Sequence, residues 1–118
     1  MQDRTVICIA ASDVAESVTR LLEASGLQVV STTNPAHSLA LLFINRRTDT
    51  IVLDARVHEC HQGLAPSLKA LRPDVRLVLV AVDQFASPPD LADCCVSLAS
   101  GTDALLSALS YSEASAAA

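Results

Sequence analysis

The sequence predicts one α/β domain, a parallel sheet covered by helices on both faces. Three observations lead there. β-Branched apolar runs recur at Thr5 to Ala10, Gln28 to Thr32, Thr50 to Asp54, Val75 to Val82 and Cys94 to Leu98. Most of the intervening stretches repeat apolar residues at helical spacing. The chain is 51% hydrophobic but only 3% aromatic with no Trp, so its core must be built from Val, Leu, Ile and Ala, as suits helices packed on buried parallel strands. At 118 residues there is room for one such core and not two.

Thr5 to Ala10 reads as the first buried strand. Asp13 stands three before Glu16 in the manner of a capping box, and Val14, Val18, Leu21 and Leu22 carry a helix to a stop at Gly26. Gln28 to Thr32 is a second strand. Asn34-Pro35 places a capping side chain before a proline suited to the first helical position, so the second helix runs from Pro35 to about Asn45. Its inward stripe is expected to be Ala36, Leu39, Ala40 and Phe43, with Leu41 and Ile44 toward the flank of a broad core face. After the strand Thr50 to Asp54 come a loop, Ala55 to Gln62, and a short helix near Gly63 to Leu71 with Pro66 in its first turn.

Val75 to Val82 is the longest β-type run and reads as the fourth, central strand. The next stretch, Asp83 to Asp93, contains Ser87-Pro88-Pro89, which pushes the chain out of the helical region and allows at most one turn. Cys94 to Leu98 is a fifth strand. Thr102 to Tyr111, with Leu105, Leu106 and Leu109 on one face, is a last helix. The pattern is β-α five times with the fourth helix worn away, and right-handed crossovers make the sheet parallel.

The net charge of -5, with eight scattered Lys and Arg, argues against a nucleic-acid surface. No apolar run approaches the length of a membrane span, and Met1 to Arg4 does not begin a signal peptide. A cytoplasmic, membrane-free domain is expected. Cys8, Cys60, Cys94 and Cys95 are expected to be free, buried thiols. The domain is expected to span residues 1 to 111, with Ser112 to Ala118 an Ala/Ser tail or linker.

The stretch with most chemical content is Ile51-Val52-Leu53-Asp54, a buried strand that ends in a carboxylate. In open α/β sheets, sites form at the carboxyl ends of strands. A carboxylate there can also serve structure alone, by accepting bonds from backbone amides of the next loop. Arg56 and Arg4 are candidate cationic partners, although solvated surface charge is the expectation for both. His58-Glu59-Cys60-His61 contains metal-ligand types, but its spacing matches no structural zinc pattern, and Cys94-Cys95 reads as core. With three glycines in all, the chain cannot make the loops of dinucleotide sites.

RLLEASGLQVV (Arg20 to Val30), IVLDARV (Ile51 to Val57), ALRPDVRLVLV (Ala70 to Val80) and Ala92-Asp93 leading to TDALLSAL together resemble the receiver domain of two-component signalling. The resemblance extends from Arg4 to about Leu109 and implies a flavodoxin-like (βα)₅ three-layer sandwich with strand order 2-1-3-4-5. It also implies a phosphoacceptor aspartate, which falls on Asp54. The family's other parts do not carry over. Its paired metal-binding acids fall on Ile9-Ala10 or Ala10-Ala11, its Thr or Ser on Ala81, and its lysine and cis proline on Leu98 and Ala99. A cis bond before a residue other than proline costs about 2.5 to 4 kcal/mol, so this loop is expected to be trans.

These departures imply a degenerate, bacterial pseudo-receiver. It would be no enzyme, would need no cofactor, and would bind a protein partner such as a histidine kinase, an effector domain or a second copy of itself. Its binding surfaces would be the first helix, the Asp83 to Asp93 segment and the last helix. The alternatives are a conventional phosphoacceptor that uses Mg²⁺ with Asp54 as acceptor and Asp13 as a substitute ligand, and a small flavodoxin-like enzyme or metal-binding domain built on His58 to His61.

Overall fold

The computed structural model describes residues 5–45, 48–81, 93–98 and 105–106. In chain order the elements are β1 (Thr5–Ile9), α1 (Ser12–Ala24), β2 (Gln28–Thr32), α2 (Pro35–Ile44), β3 (Thr48–Asp54), α3 (Ala55–Cys60), α4 (Leu64–Leu71), β4 (Arg76–Ala81) and β5 (Cys94–Ser97). The strands form one sheet in the order β2-β1-β3-β4-β5, every pairing parallel. This is the flavodoxin-like arrangement expected. The expected worn fourth helix and remodelled stretch from Asp83 to Ala92 lie outside the described residues, as do Ala99, Arg4 and the tail. Leu105 and Leu106 are helical, and Leu105 is fully buried.

Side chains alternate across a strand, and here the alternation sorts residues by size. One face presents Val6, Cys8, Ala10, Val52, Val78, Val80 and Val96 to α1 and to Leu105. The other presents Ile7, Ile9, Ile51, Leu53, Leu77 and Leu79 to Leu42 of α2 and to Leu64, Ala65 and Leu68 of α4. The smaller residues therefore share one layer with α1, and the larger ones fill the other.

The helix ends show the local chemistry. Asn34 caps α2 by accepting from the Ala36 amide at 3.0 Å, as Asn34-Pro35 predicts. α1 ends in a left-handed turn at Gly26, with φ of 90°, where Gly26 N–H donates to Glu23 O and Leu27 N–H to Leu22 O. Pro66 occupies the first turn of α4, where its missing N–H costs nothing.

Four expectations are corrected. Ala55 to Cys60 is a helix, because Asp54 caps it by accepting from the Arg56 amide at 2.9 Å; none of its residues is fully buried, so no apolar stripe announced it. The N-cap of α1 is Ala11, with no side-chain bond, and Asp13 lies inside the first turn. In α2 Ser38 and Leu42 are buried, Leu39 packs partly on the core as expected and Leu41 joins it, while Ala36, Ala40 and Phe43 face outward, Phe43 at 68% exposure. A helix that is apolar almost all round gives periodicity no way to fix its phase. Of the four free cysteines, Cys8 is buried, Cys94 and Cys95 are half-buried on opposite faces of an edge strand, and Cys60 is exposed on the short α3.

At the amino end of the sheet, Asp93 closes a junction that joins three elements. Its carboxylate accepts from Leu77 N–H at 2.8 Å and from Lys69 Nζ of α4 at 2.7 Å, and its own amide donates to Leu77 O at 2.9 Å. Lys69 also donates to Val75 O at 2.8 Å. Asp93 thus satisfies the β4 edge just before β5 begins. Burial opposes its charge, but the Leu77 amide and Lys69 outweigh it and hold the carboxyl below its ordinary range.

Candidate functional site

Asp54 ends the central strand and is 1% exposed. Parallel register sets its neighbours: Ile9 lies opposite Leu53, so Ala10 and Ala11 begin the next connection, while Asp54 pairs with Val80 and Ala81 with Ser97. Ala10 is buried, and Leu98, following Ser97, packs against the core beside α1. The structure therefore gathers Asp54 with the positions of Ala10, Ala11, Ala81 and Leu98 at one end of the sheet.

A buried carboxylate must be paired and hydrogen-bonded. Asp54 Oδ1 accepts from the Arg56 amide at 2.9 Å. Its Oδ2 accepts from the Ala11 amide at 3.2 Å and from Arg56 Nη2 at 3.2 Å. The same Nη2 donates to Asp13 Oδ1, again at 3.2 Å. Asp54 thus holds the β1–α1 connection through Ala11 and starts α3 through Arg56. A solvated Arg56 is the expectation corrected here: its side chain is 52% exposed, yet one guanidinium nitrogen bridges two carboxylates.

The electrostatics follow from that bridge. The bond to Asp54, then its charge, then Asp13 hold the Arg56 guanidinium protonated beyond its ordinary range. The Val14 amide first, and Arg56 second, hold the Asp13 carboxyl below its ordinary range. In the layer beneath, burial, and behind it the Asp54 charge, push the Cys8 thiol up to about 12, so it is unreactive at neutral pH. No sequence pattern pairs Asp13 with Arg56. The available signal was their placement, each in the first turn of a helix that leaves the carboxyl end of a neighbouring strand.

The residues present do not fit a divalent cation of the kind the receiver resemblance implies. Mg²⁺ takes oxygen ligands at about 2.0 to 2.1 Å. Here both Asp54 oxygens already accept from the chain's own donors, a guanidinium stands between the two nearest carboxylates, and Ala10 and Ala11 bring none. Nor do His58, Glu59, Cys60 and His61 converge. Among the described residues no group of three or more His, Cys, Asp or Glu could hold a metal ion. His58 Nδ1 is buried without a partner among them, and His61 lies on the groove between α2 and α4.

No family model matches the sequence, and no curated protein sequence matches it significantly. Solved structures do match. TrrA, a response regulator of Thermotoga maritima solved in complex with Mg²⁺-BeF, superposes with a TM-score of 0.75 at 15% identity, over 93% of this chain and 98% of that one. The fold is that of response-regulator receivers. TrrA in complex with the histidine kinase ThkA gives a TM-score of 0.76 at 16% identity, over 93% and 97% of the chains. A CheY-like receiver domain from Methylobacillus flagellatus gives 0.73 at 17%, over 94% and 98%. Among the described residues no helix is long and apolar enough to cross a membrane.

If Asp54 serves architecture, its loss should appear in stability. Asp54→Ala removes a helix cap and leaves the Ala11 and Arg56 amides without their acceptor, for an expected cost of about 1 to 3 kcal/mol. Asp54→Asn keeps an oxygen for the Arg56 amide and should cost less. Urea denaturation of the two variants beside the parent checks the order.

Proposed function

We propose that the chain is an atypical receiver domain of two-component signalling, a binding module and not an enzyme, that engages a protein partner in a conformation independent of phosphorylation. The observation that carries this reading is the occupied state of Asp54. A carboxylate that attacks a phosphoryl group must be reachable by the phosphodonor, and the dianionic product needs further hydroxyl and cationic groups around it. Asp54 Oδ2 accepts two bonds, Oδ1 accepts one, and the side chain is closed to solvent. Ala81 and Leu98 offer no hydroxyl and no ammonium at the matching strand ends.

The comparison structures support a protein partner, since one of them joins a receiver of this fold to a histidine kinase. The partner proposed here is likewise a signalling protein, either a kinase or an effector domain. The outward end of α2 supports the binding half of the reading: Phe43 and Ile44 are 68% and 70% exposed, and Phe43 lines, with Leu42, Leu71 and Arg72, a groove of ≈ 360 Å³.

Intact mass after incubation with acetyl phosphate and Mg²⁺ tests the proposal. No added phosphate is expected. A Mg²⁺-dependent phosphate that disappears in Asp54→Ala would return the chain to the conventional phosphoacceptors.

A further inference from the structure

We propose that Arg56 is a tethered cation that takes the place of a divalent metal ion, joining Asp54 to Asp13 and making the site indifferent to Mg²⁺. The inference rests on reading this strand end as a receiver site, and it names what replaces that site's ion.

The geometry is specific to these residues. Arg56 occupies the second position of α3, and Asp13 the second position of α1. Both helices begin just past the carboxyl ends of adjacent strands, β3 and β1. A single nitrogen, Arg56 Nη2, lies 3.2 Å from Asp54 Oδ2 and 3.2 Å from Asp13 Oδ1. It lies between the two carboxylates and supplies the positive charge that a carboxylate with 1% exposure requires.

A metal ion and a guanidinium differ in one respect that matters here. The ion exchanges with solvent, so a site built on it empties and fills with ion concentration. Arg56 is covalently held two residues from Asp54 and remains protonated throughout the physiological range. The positive charge beside Asp54 therefore does not vary with ion concentration, and it competes with any cation for Asp54 Oδ2; the arm to Asp13, whose side chain is 72% exposed, is the weaker of the two. Removing Arg56 should uncover both carboxylates. Two carboxylates and several waters are a common Mg²⁺ environment, so the charge deficit left by Arg56→Gln is one that the ion can fill.

The test is a titration of Mg²⁺, and separately of Mn²⁺, into the full chain, read by calorimetry and by thermal unfolding with no phosphodonor present. The parent is expected to show no heat of binding and no change in Tm at millimolar ion. Arg56→Gln is expected to melt lower without ions and to recover with Mg²⁺, binding it at least about tenfold more tightly than the parent. Asp13→Asn added to Arg56→Gln should abolish the recovery, and Arg56→Lys, which keeps the charge, should remain insensitive to Mg²⁺.

If Arg56→Gln is unfolded without ions, folding on addition of Mg²⁺, followed by circular dichroism, supports the proposal; failure to fold overturns it. It is also overturned if the parent binds Mg²⁺ as tightly as Arg56→Gln does. Because no phosphodonor enters, this result is separate from the phosphorylation assay. A parent that ignores Mg²⁺ yet gains phosphate would defeat the functional reading and leave the tethered cation standing.

Discussion

Leu42→Ala is expected to cost about 2 to 5 kcal/mol of folding free energy, whereas Phe43→Ala, one residue along, should stay within about 0.5 kcal/mol. The two positions separate the competing phases of α2. Leu42 is fully buried in the layer that holds Ile7, Ile9, Ile51 and Leu53, so truncation opens a cavity against rigid strands. Phe43 has 68% of its surface in solvent and loses little on truncation. The larger aromatic would be the costlier loss if it faced inward. Urea denaturation with unchanged m-values decides between the faces.

Asp93→Asn should destabilise the chain by about 1 to 3 kcal/mol at neutral pH, and the deficit should shrink on acidification. The carboxylate serves Leu77 N–H on one side and Lys69 Nζ on the other. An amide can replace it toward the backbone but cannot match its charge toward Lys69. The folded state holds the Asp93 carboxyl below its unfolded value. Its contribution is therefore fully present above the ordinary carboxylate pKa, about 3.9, and is lost as pH falls through the lower, folded value. Parent and Asp93→Asn should thus draw together in stability only as pH falls below the ordinary carboxylate range. A gap that stays constant as pH falls below that range would remove the carboxylate from the junction. With Asp93 37% exposed and Lys69 22%, solvent screening places the loss toward the lower end of the range.

Much of the sheet was legible because buried parallel strands are written as unbroken β-branched runs, and their order follows from helical connections of one hand. Gln28 to Thr32 was read with its observed limits, and the other strands lie within two residues of theirs. Phase was less legible. α1 mixes Glu, Arg and Ser with Val and Leu, so its buried face is marked. α2 has only His37 and Ser38 as polar residues in Pro35–Ile44, so its rotation was decided by packing against the sheet. α3 was missed because six residues without a buried position carry no period, although its cap, Asp54, was already in view.

The site divides along the same line. Asp54 could be found from its place after Leu53, and the alanines and leucine around it from the receiver resemblance. Its partners could not. The bond from Ala11 spans 43 positions, as does that from Arg56 to Asp13, and no local rule joins residues so far apart. The Lys69 to Asp93 junction was hidden in the same way by a separation of 24.

As a receiver independent of phosphorylation, the chain should keep Asp54 on its own donors in one state whether or not a phosphodonor is present. The most direct measurement is the ¹H–¹⁵N amide spectrum of the full chain, with the Ala11 and Arg56 amides as reporters, before and after addition of acetyl phosphate and Mg²⁺. The spectra should superimpose at both amides and throughout β1, β3 and β4. Shifts of Ala11 and Arg56 that depend on both additions and vanish in Asp54→Ala would contradict this and make Asp54 a working phosphoacceptor.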